Sequence, residues 1–259
     1  MNSTAAVSSF LLAMADDELM LGHRGGEWTS YAPILEEDIA FSNVAQDELG
    51  HSLVWYTLRQ QLTGRDPDEM AFERAWNDFT CCHFVTYPKG DFGYAVMRQY
   101  LFDEAEQVKL SAFAASTYIP LKDASEKILR EEAYHLMHSK GLVERLSDAT
   151  EESHRRMQAA VDTAFPQALG MFEKLENEDE LVRTGVFPGH DLLQEEWLQR
   201  VVPVLTTATL VVPAKSQNGS CVVTAEADLG GRRKRHTDHL KHLVDDLQAV
   251  YSIAPGAKW

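Results

Sequence analysis

An all-α fold, a bundle of four long helices with further helices at the C-terminal end, is predicted by three features of the sequence. Apolar residues recur at steps of three and four through most of the 259 residues, the spacing that gathers side chains on one face of a helix. Turn signals at Gly22 to Gly26, Pro88-Lys89-Gly90 and Pro120 cut the first half into helix-length segments. Strand-like composition is confined to Leu205–Val223, which is β-branched, proline-broken and polar in turn, and reads as an extended arm or short hairpin.

The first helix runs from about Thr4 to Gly22, with Leu11, Met14, Glu18 and Leu21 on one face. Pro33 opens the second, where its missing N–H costs little. That helix carries Phe41, Val44, Glu48, His51 and Trp55 on one stripe and reaches Thr63-Gly64. A less regular segment with Trp76 and Phe79 follows, and Asp91 then caps a third helix whose face carries Val96, Tyr100, Asp103, Gln107 and Leu110. After Pro120 a fourth helix turns Ile128, Leu129, Glu132, His135 and Leu136 inward and ends near Leu146. A fifth spans Glu151 to about Leu175. An acidic link, Glu176 to Glu180, precedes a shorter helix around His190 to Val201, and helical spacing returns from His236 to Ala249. With no low-complexity segment or separate linker, residues 1–259 read as a single domain, its core about 5–147 and its C-terminal elaboration about 151–259.

A formal charge of −16 argues against nucleic-acid binding, because phosphates would be repelled by most of the surface. Cys81, Cys82 and Cys221 form no disulfide framework and fit a reducing, cytoplasmic setting. The apolar run Phe10 to Ala15 lacks a basic flank and meets Asp16, Asp17 and Glu18 at once, which does not suit a signal peptide. Val201 to Pro213 contains Pro203 and is too short to span a bilayer. No Gly-rich nucleotide loop is present, so a bound NAD or flavin is not expected and electrons must come from another protein.

Against the acidic background, Arg232, Arg233, Lys234 and Arg235 form the only dense basic run. It follows Gly230-Gly231, which reads as a flexible loop. It is either a solvated surface or a clamp for phosphate on an anionic ligand or for an acidic partner.

The chemistry lies in a repeat. Glu48/His51 and Glu132/His135 are Glu-x-x-His steps, and Glu18 and Asp103 precede them by 30 and 29 residues. Histidine three residues after glutamate shares its helix face, so one turn supplies two ligands. Taken singly such a pair is weak, and a third, Glu151/His154, is read as chance or helix capping. The other two stand mid-helix on stripes that should be apolar, where a charge is costly unless paired or ligating. Four carboxylates and two imidazoles are the ligand set of a carboxylate-bridged di-iron site in a ferritin-like four-helix bundle. The metal ligands expected are Glu18, Glu48, His51, Asp103, Glu132 and His135, with no catalytic side chain beyond them. On the third helix Asp103 fits best by spacing, while Glu106 is read as an exposed charge or a partner for a ligand histidine. Asp17, Asp47 and Glu131 neighbour the ligands and are expected at the surface or just behind the metal, and His138 behind the metal or at the core edge. His236, His239 and His242 are read as surface or interface residues.

Beyond this motif, Gly26-Glu27-Trp28 with Ala32-Pro33, Arg98-Gln99-Tyr100 through Asp103, Tyr134-His135-Leu136, Leu142 to Leu146, and His236-Thr237-Asp238-His239-Leu240 through Pro255-Gly256 to Trp259 carry a resemblance over nearly the whole chain. The sequence resembles the phenylacetyl-CoA epoxidase family of phenylacetate degradation, most of all its PaaC-type subunits. The resemblance implies a di-iron monooxygenase assembly that turns the aromatic ring of a CoA thioester into a 1,2-epoxide with O2. It implies related subunits in a homo- or hetero-oligomer and electrons from a separate NAD(P)H-dependent reductase, with neither nucleic acid nor membrane as partner. Family ligands fall on Glu18, on Glu48 and His51 within Gln46-Asp47-Glu48-Leu49-Gly50-His51, on Asp103, and on Glu132 and His135 within Glu131-Glu132-Ala133-Tyr134-His135. PaaC-type subunits are known as scaffolds lacking several of these, whereas this sequence keeps all six, as the catalytic PaaA-type subunits do. Two alternatives remain: a non-catalytic scaffold, and a di-iron oxygenase acting on another aryl-CoA.

Overall fold

A computed structural model describes residues 3–217 and 220–255. Gly256 and Trp259, which contribute to the resemblance above, lie outside them. The described chain is all-α and of the ferritin-like class. Its helices are α1 (Ser3–Gly26), α2 (Leu35–Thr63), α3 (Pro67–Phe72), α4 (Phe92–Ala112), α5 (Ile119–Ala149), α6 (Glu151–Ala168), α7 (Glu178–Arg183), α8 (His190–Thr207) and α9 (Asp238–Gln248). An antiparallel hairpin, β1 (Ala214–Gln217) with β2 (Ser220–Val223), pairs Lys215 with Val222, so the hairpin reading of Leu205–Val223 holds for its second half, while Leu205 to Thr207 end α8. None of the described helices is long and apolar enough to cross a membrane.

Local chemistry sets most boundaries. The Asp91 side chain accepts the Tyr94 N–H at 2.9 Å and caps α4 as expected. Thr150 and Ser153 form a reciprocal capping box on α6, and His154 Nδ1 lies 2.8 Å from the Ser147 carbonyl, so the Glu151/His154 pair belongs to a helix start. Gly64, left-handed at φ 74°, ends α2.

Several boundaries differ from expectation: α1 continues past Gly22 to Gly26, and α8 runs past Val201 through Pro203 to Thr207. Helix α2 begins at Leu35 with Ile34 as its cap, two residues after the position Pro33 suggests, and Glu36, Glu37 and Asp38 then place acids at its positive end. Helix α6 stops at Ala168 and tightens into a 3₁₀ turn through Phe172. Pro166 offers its carbonyl to Asp228 N–H at 3.1 Å, and a Cβ on Gly170 would lie 2.3 Å from the Asp228 carbonyl oxygen, so the chain turns where a neighbouring backbone needs room. The acidic link, in turn, leads into helix α7, which starts at Glu178 and runs on to Arg183.

The chain divides into two compact units. One comprises residues 89–229. In it α4 packs against α5, α6 and α8, and is buried without a break from Gly93 to Glu106. A helix buried on every side has no solvent face for charge, which makes its acids informative. Trp197 of α8 sits between Phe165 and Phe172 and donates its indole N–H to the Leu101 carbonyl at 2.9 Å.

The other unit joins the segment before Lys89 to the segment from Gly230 onward. Helices α1 and α2 form its antiparallel hairpin: Ser52 Oγ bonds to Ala15 O at 2.9 Å and Arg59 Nε to Ser8 O at 3.2 Å. At Gly22 the helices come close, since a Cβ there would lie 3.0 Å from Ala45 O and 3.2 Å from Glu48 Cβ. Gly22→Ala must therefore push α2 away beside a proposed ligand. We expect a loss of about 1–3 kcal/mol in urea unfolding, with Gly26→Ala, which meets nothing within 4 Å, as the harmless control.

Candidate metal centre

Each unit holds one trio of the sequence repeat. In the α1/α2 unit, Leu11, Met14 and Leu21 are buried with Glu18, and Phe41, Val44 and Trp55 with Glu48 and His51, so both acid-bearing stripes face the core. Glu18, Glu48 and His51 are 0, 1 and 2 % exposed. His51 Nδ1 lies 3.9 Å from a carboxylate oxygen of each glutamate, and donor atoms of all three fall within 4.8 Å of one another.

In the α4/α5 pair, Asp103, Glu132 and His135 are 0, 0 and 1 % exposed. His135 Nδ1 is 3.2 Å from Glu132 Oε1, and donor atoms of Asp103 and His135 lie within 4.8 Å. Asp103 is also oriented from two sides. Gln99, one turn earlier on α4, donates to Oδ1 at 2.7 Å, and Ser139, one turn after His135 on α5, donates to Oδ2 at 2.5 Å. These neutral donors fix the carboxylate plane. Sequence reading missed both residues, although each extends a ligand stripe by the helical step of four.

The donor set fits iron. Carboxylate oxygen and imidazole nitrogen suit a hard to borderline cation, and a Glu-x-x-His step offers both from one turn. Burying several carboxylates together costs several kcal/mol per ion in apolar surroundings, a cost that bound metal offsets.

Around the trios, several expectations change. Glu106, read as an exposed charge or a partner for a ligand histidine, is 2 % exposed and paired with Lys109, because α4 has no solvent face at that level. Glu104 is 5 % exposed; burial raises its pKa, and Arg200 and Lys140 pull it back. Asp17, expected at the surface or just behind the metal, is buried in an ion pair with Arg232, 2.5 Å between Oδ2 and Nη2, and accepts the Cys82 N–H at 2.8 Å. Its neighbour Asp16 binds Arg74, the Tyr56 hydroxyl at 2.6 Å and the Thr80 N–H at 2.7 Å. Three consecutive helical residues point about 100° apart, so burying Asp16, Asp17 and Glu18 together requires α1 to be covered on most of its circumference.

The basic run thus divides. Arg232 turns inward, its side chain 5 % exposed, while Arg233, Lys234 and Arg235 stay at the surface. Burial works against the Arg232 cation, but Asp17 outweighs it and holds the proton more tightly than usual. The glycines before it serve close packing: a Cβ on Gly231 would lie 2.3 Å from Cys81 O. Of the histidine series, His236 is half-buried and bonds to Phe79 O at 2.8 Å, His239 packs on Tyr87, and His242 is exposed.

A further buried acid–histidine pair, Glu178 with His190, anchors the start of α8. Glu178 accepts the His190 N–H at 2.8 Å and its Nδ1 proton at 2.5 Å. Burial would raise the Glu178 pKa, yet the His190 contacts outweigh it and the net shift is downward. A carboxyl lowered in the folded state stabilises above its unfolded pKa, about 4.3, and that contribution fades as pH falls through the lowered value. Urea midpoints measured from neutral to acid pH should therefore fall less steeply in Glu178→Gln than in wild type.

Comparison with known proteins now bears on this geometry. The family model described as "Phenylacetic acid catabolic protein" (PaaA_PaaC) matches residues 1–259. The chain belongs to this family. Within it, the chain is 29 % identical over 254 residues to the C component of the 1,2-phenylacetyl-CoA epoxidase of Escherichia coli (strain K12), covering 98 % of this chain and 99 % of that one. Membership accounts for the helical fold and places the chain among proteins of phenylacetate catabolism.

Proposed function

We propose that the chain is a component of a ring-1,2-phenylacetyl-CoA epoxidase and carries its own di-iron centre, three donors coming from each half of the repeat. The observation that supports this reading is one acid plus a Glu-x-x-His step, buried to 2 % exposure or less, in both halves of a chain that the family model matches throughout. Glu18, Glu48 and His51 with Asp103, Glu132 and His135 hold the metal, which when bound supplies the reduction of O2 that oxygen transfer requires.

The protein's share is positioning and exclusion of water. Helix pairing keeps each trio on a buried stripe, which also carries Trp55 in one unit and Tyr100 in the other, both 0 % exposed. Gln99 and Ser139 hold Asp103 in one orientation before metal arrives. Ser139→Ala should weaken iron(II) affinity about 10–100-fold in a competition titration, and Ser139→Thr should restore part of it.

Related subunits, a separate NAD(P)H-dependent reductase and an aryl-CoA substrate complete the proposed reaction in the cytoplasm, a setting consistent with three free cysteines. Arg233, Lys234 and Arg235 are the proposed contacts for CoA phosphates or an acidic partner; unchanged binding after neutralising all three would exclude them. The deciding experiment is iron analysis with Mössbauer spectroscopy on the chain purified from iron-fed cells, followed by product analysis with several aryl-CoA thioesters. A coupled iron pair and an epoxide product support the reading. Iron-free protein that still restores activity to a complex assigns it the scaffold role instead, and preference for another thioester assigns a different substrate.

A further inference from the structure

The outer face of α2 carries a stripe that the metal ligands do not explain. Leu35, Ile39, Ser42, Gln46, Leu49 and Leu53 follow one another at steps of four and three, within about 40° of one line at 100° per residue. The four apolar members are 69, 52, 40 and 53 % exposed, and Tyr31 and Ile34 extend the patch at 71 and 55 %. Such a heptad-like seam on a helix surface is the pattern of a helix-to-helix contact.

The stripe reads the same in both directions. Running inward from the ends, apolar Leu35 matches Leu53, apolar Ile39 matches Leu49, and polar Ser42 matches Gln46, with the midpoint at Val44. A two-fold axis through that midpoint would lay α2 of one copy antiparallel on α2 of another, apolar on apolar and polar on polar. That self-complementarity is what an isologous interface requires.

Charge is compatible with the antiparallel arrangement. The exposed flank of the stripe holds Glu36, Asn43, Asp47 and Gly50. In the antiparallel pair each Asp47 lies about 3 Å along the axis from the partner copy's Asn43, an amide donor, and each Glu36 about 3 Å from its Gly50, at 1.5 Å rise per residue. No acid faces an acid. We propose that two copies of this chain associate through the outer face of α2 in this antiparallel register, on the face opposite Glu48 and His51.

Sedimentation of the full-length chain over a wide concentration range tests it, with circular dichroism to confirm folding of each variant. Wild type should form a dimer. Ile39→Lys or Leu49→Glu alone, each placing two charges in the seam, should weaken association at least tenfold. Both substitutions in one chain should restore it, because position 39 faces position 49 of the other copy and the new charges then pair. Wild-type protein that is monomeric at every concentration overturns the proposal, including when the same single variants abolish binding to an unlike subunit. Single variants that still dimerise, or a double variant as weak as either single, overturn it as well.

Discussion

A Glu132→Leu protein purified from iron-fed cells should lose most of its iron, while its metal-free form unfolds at higher urea than metal-free wild type. The two effects share a cause. Glu132 is 0 % exposed on a stripe that otherwise carries Ile128, His135 and Leu142, all buried. Removing it takes a carboxylate out of a ligand set and also out of apolar surroundings. Taking one of several clustered carboxylates out of apolar surroundings removes its desolvation cost, which is several kcal/mol per ion. Glu18→Leu, in the other trio, should behave alike. Iron quantification and paired urea titrations check both halves of the expectation. Undiminished iron in either variant would falsify the ligand assignment, and a large loss of metal-free stability would show that the acids are structural.

The opposite sign is expected at Arg232. Arg232→Ala should cost about 3–5 kcal/mol, the usual consequence of leaving one member of a buried ion pair without its counter-charge. Asp17 is 3 % exposed and takes both terminal nitrogens of Arg232, which also donates to Thr80 O at 3.0 Å. Neutralising Arg233, Lys234 and Arg235 together should change stability by less than about 1 kcal/mol, as surface charges usually do. Urea denaturation of the two variants side by side gives the comparison. Equal losses would show that the run acts as one surface patch and that the Asp17 pair contributes little.

These two expectations mark where sequence reading ends. The stripes of α1, α2, α4 and α5 were legible because helical spacing alone decides which residues share a face, and an acid on an apolar stripe contradicts the burial of its neighbours. Repetition of that contradiction in two halves led to the six proposed ligands. Asp16 and Asp17 carried no such signal. They follow Ala15 and precede Glu18, and a helix with one buried face would send two of these three acids to water. Only the 74–86 segment and the chain from Gly230, folded back onto α1, give them Arg74 and Arg232.

The same distinction applies to Gln99, Ser139, Glu104 and Glu106. A glutamine or serine one turn from a ligand is ordinary on any helix, and nothing local states that α4 is covered on every side. By itself, then, the sequence determined the helical class, the four long helices and the repeated trios, because these depend on spacing along a single helix. The tertiary structure alone decided which other charges are buried, what neutralises them and which donors hold Asp103, because those contacts join residues far apart in the chain, and no periodicity links Asp17 to Arg232.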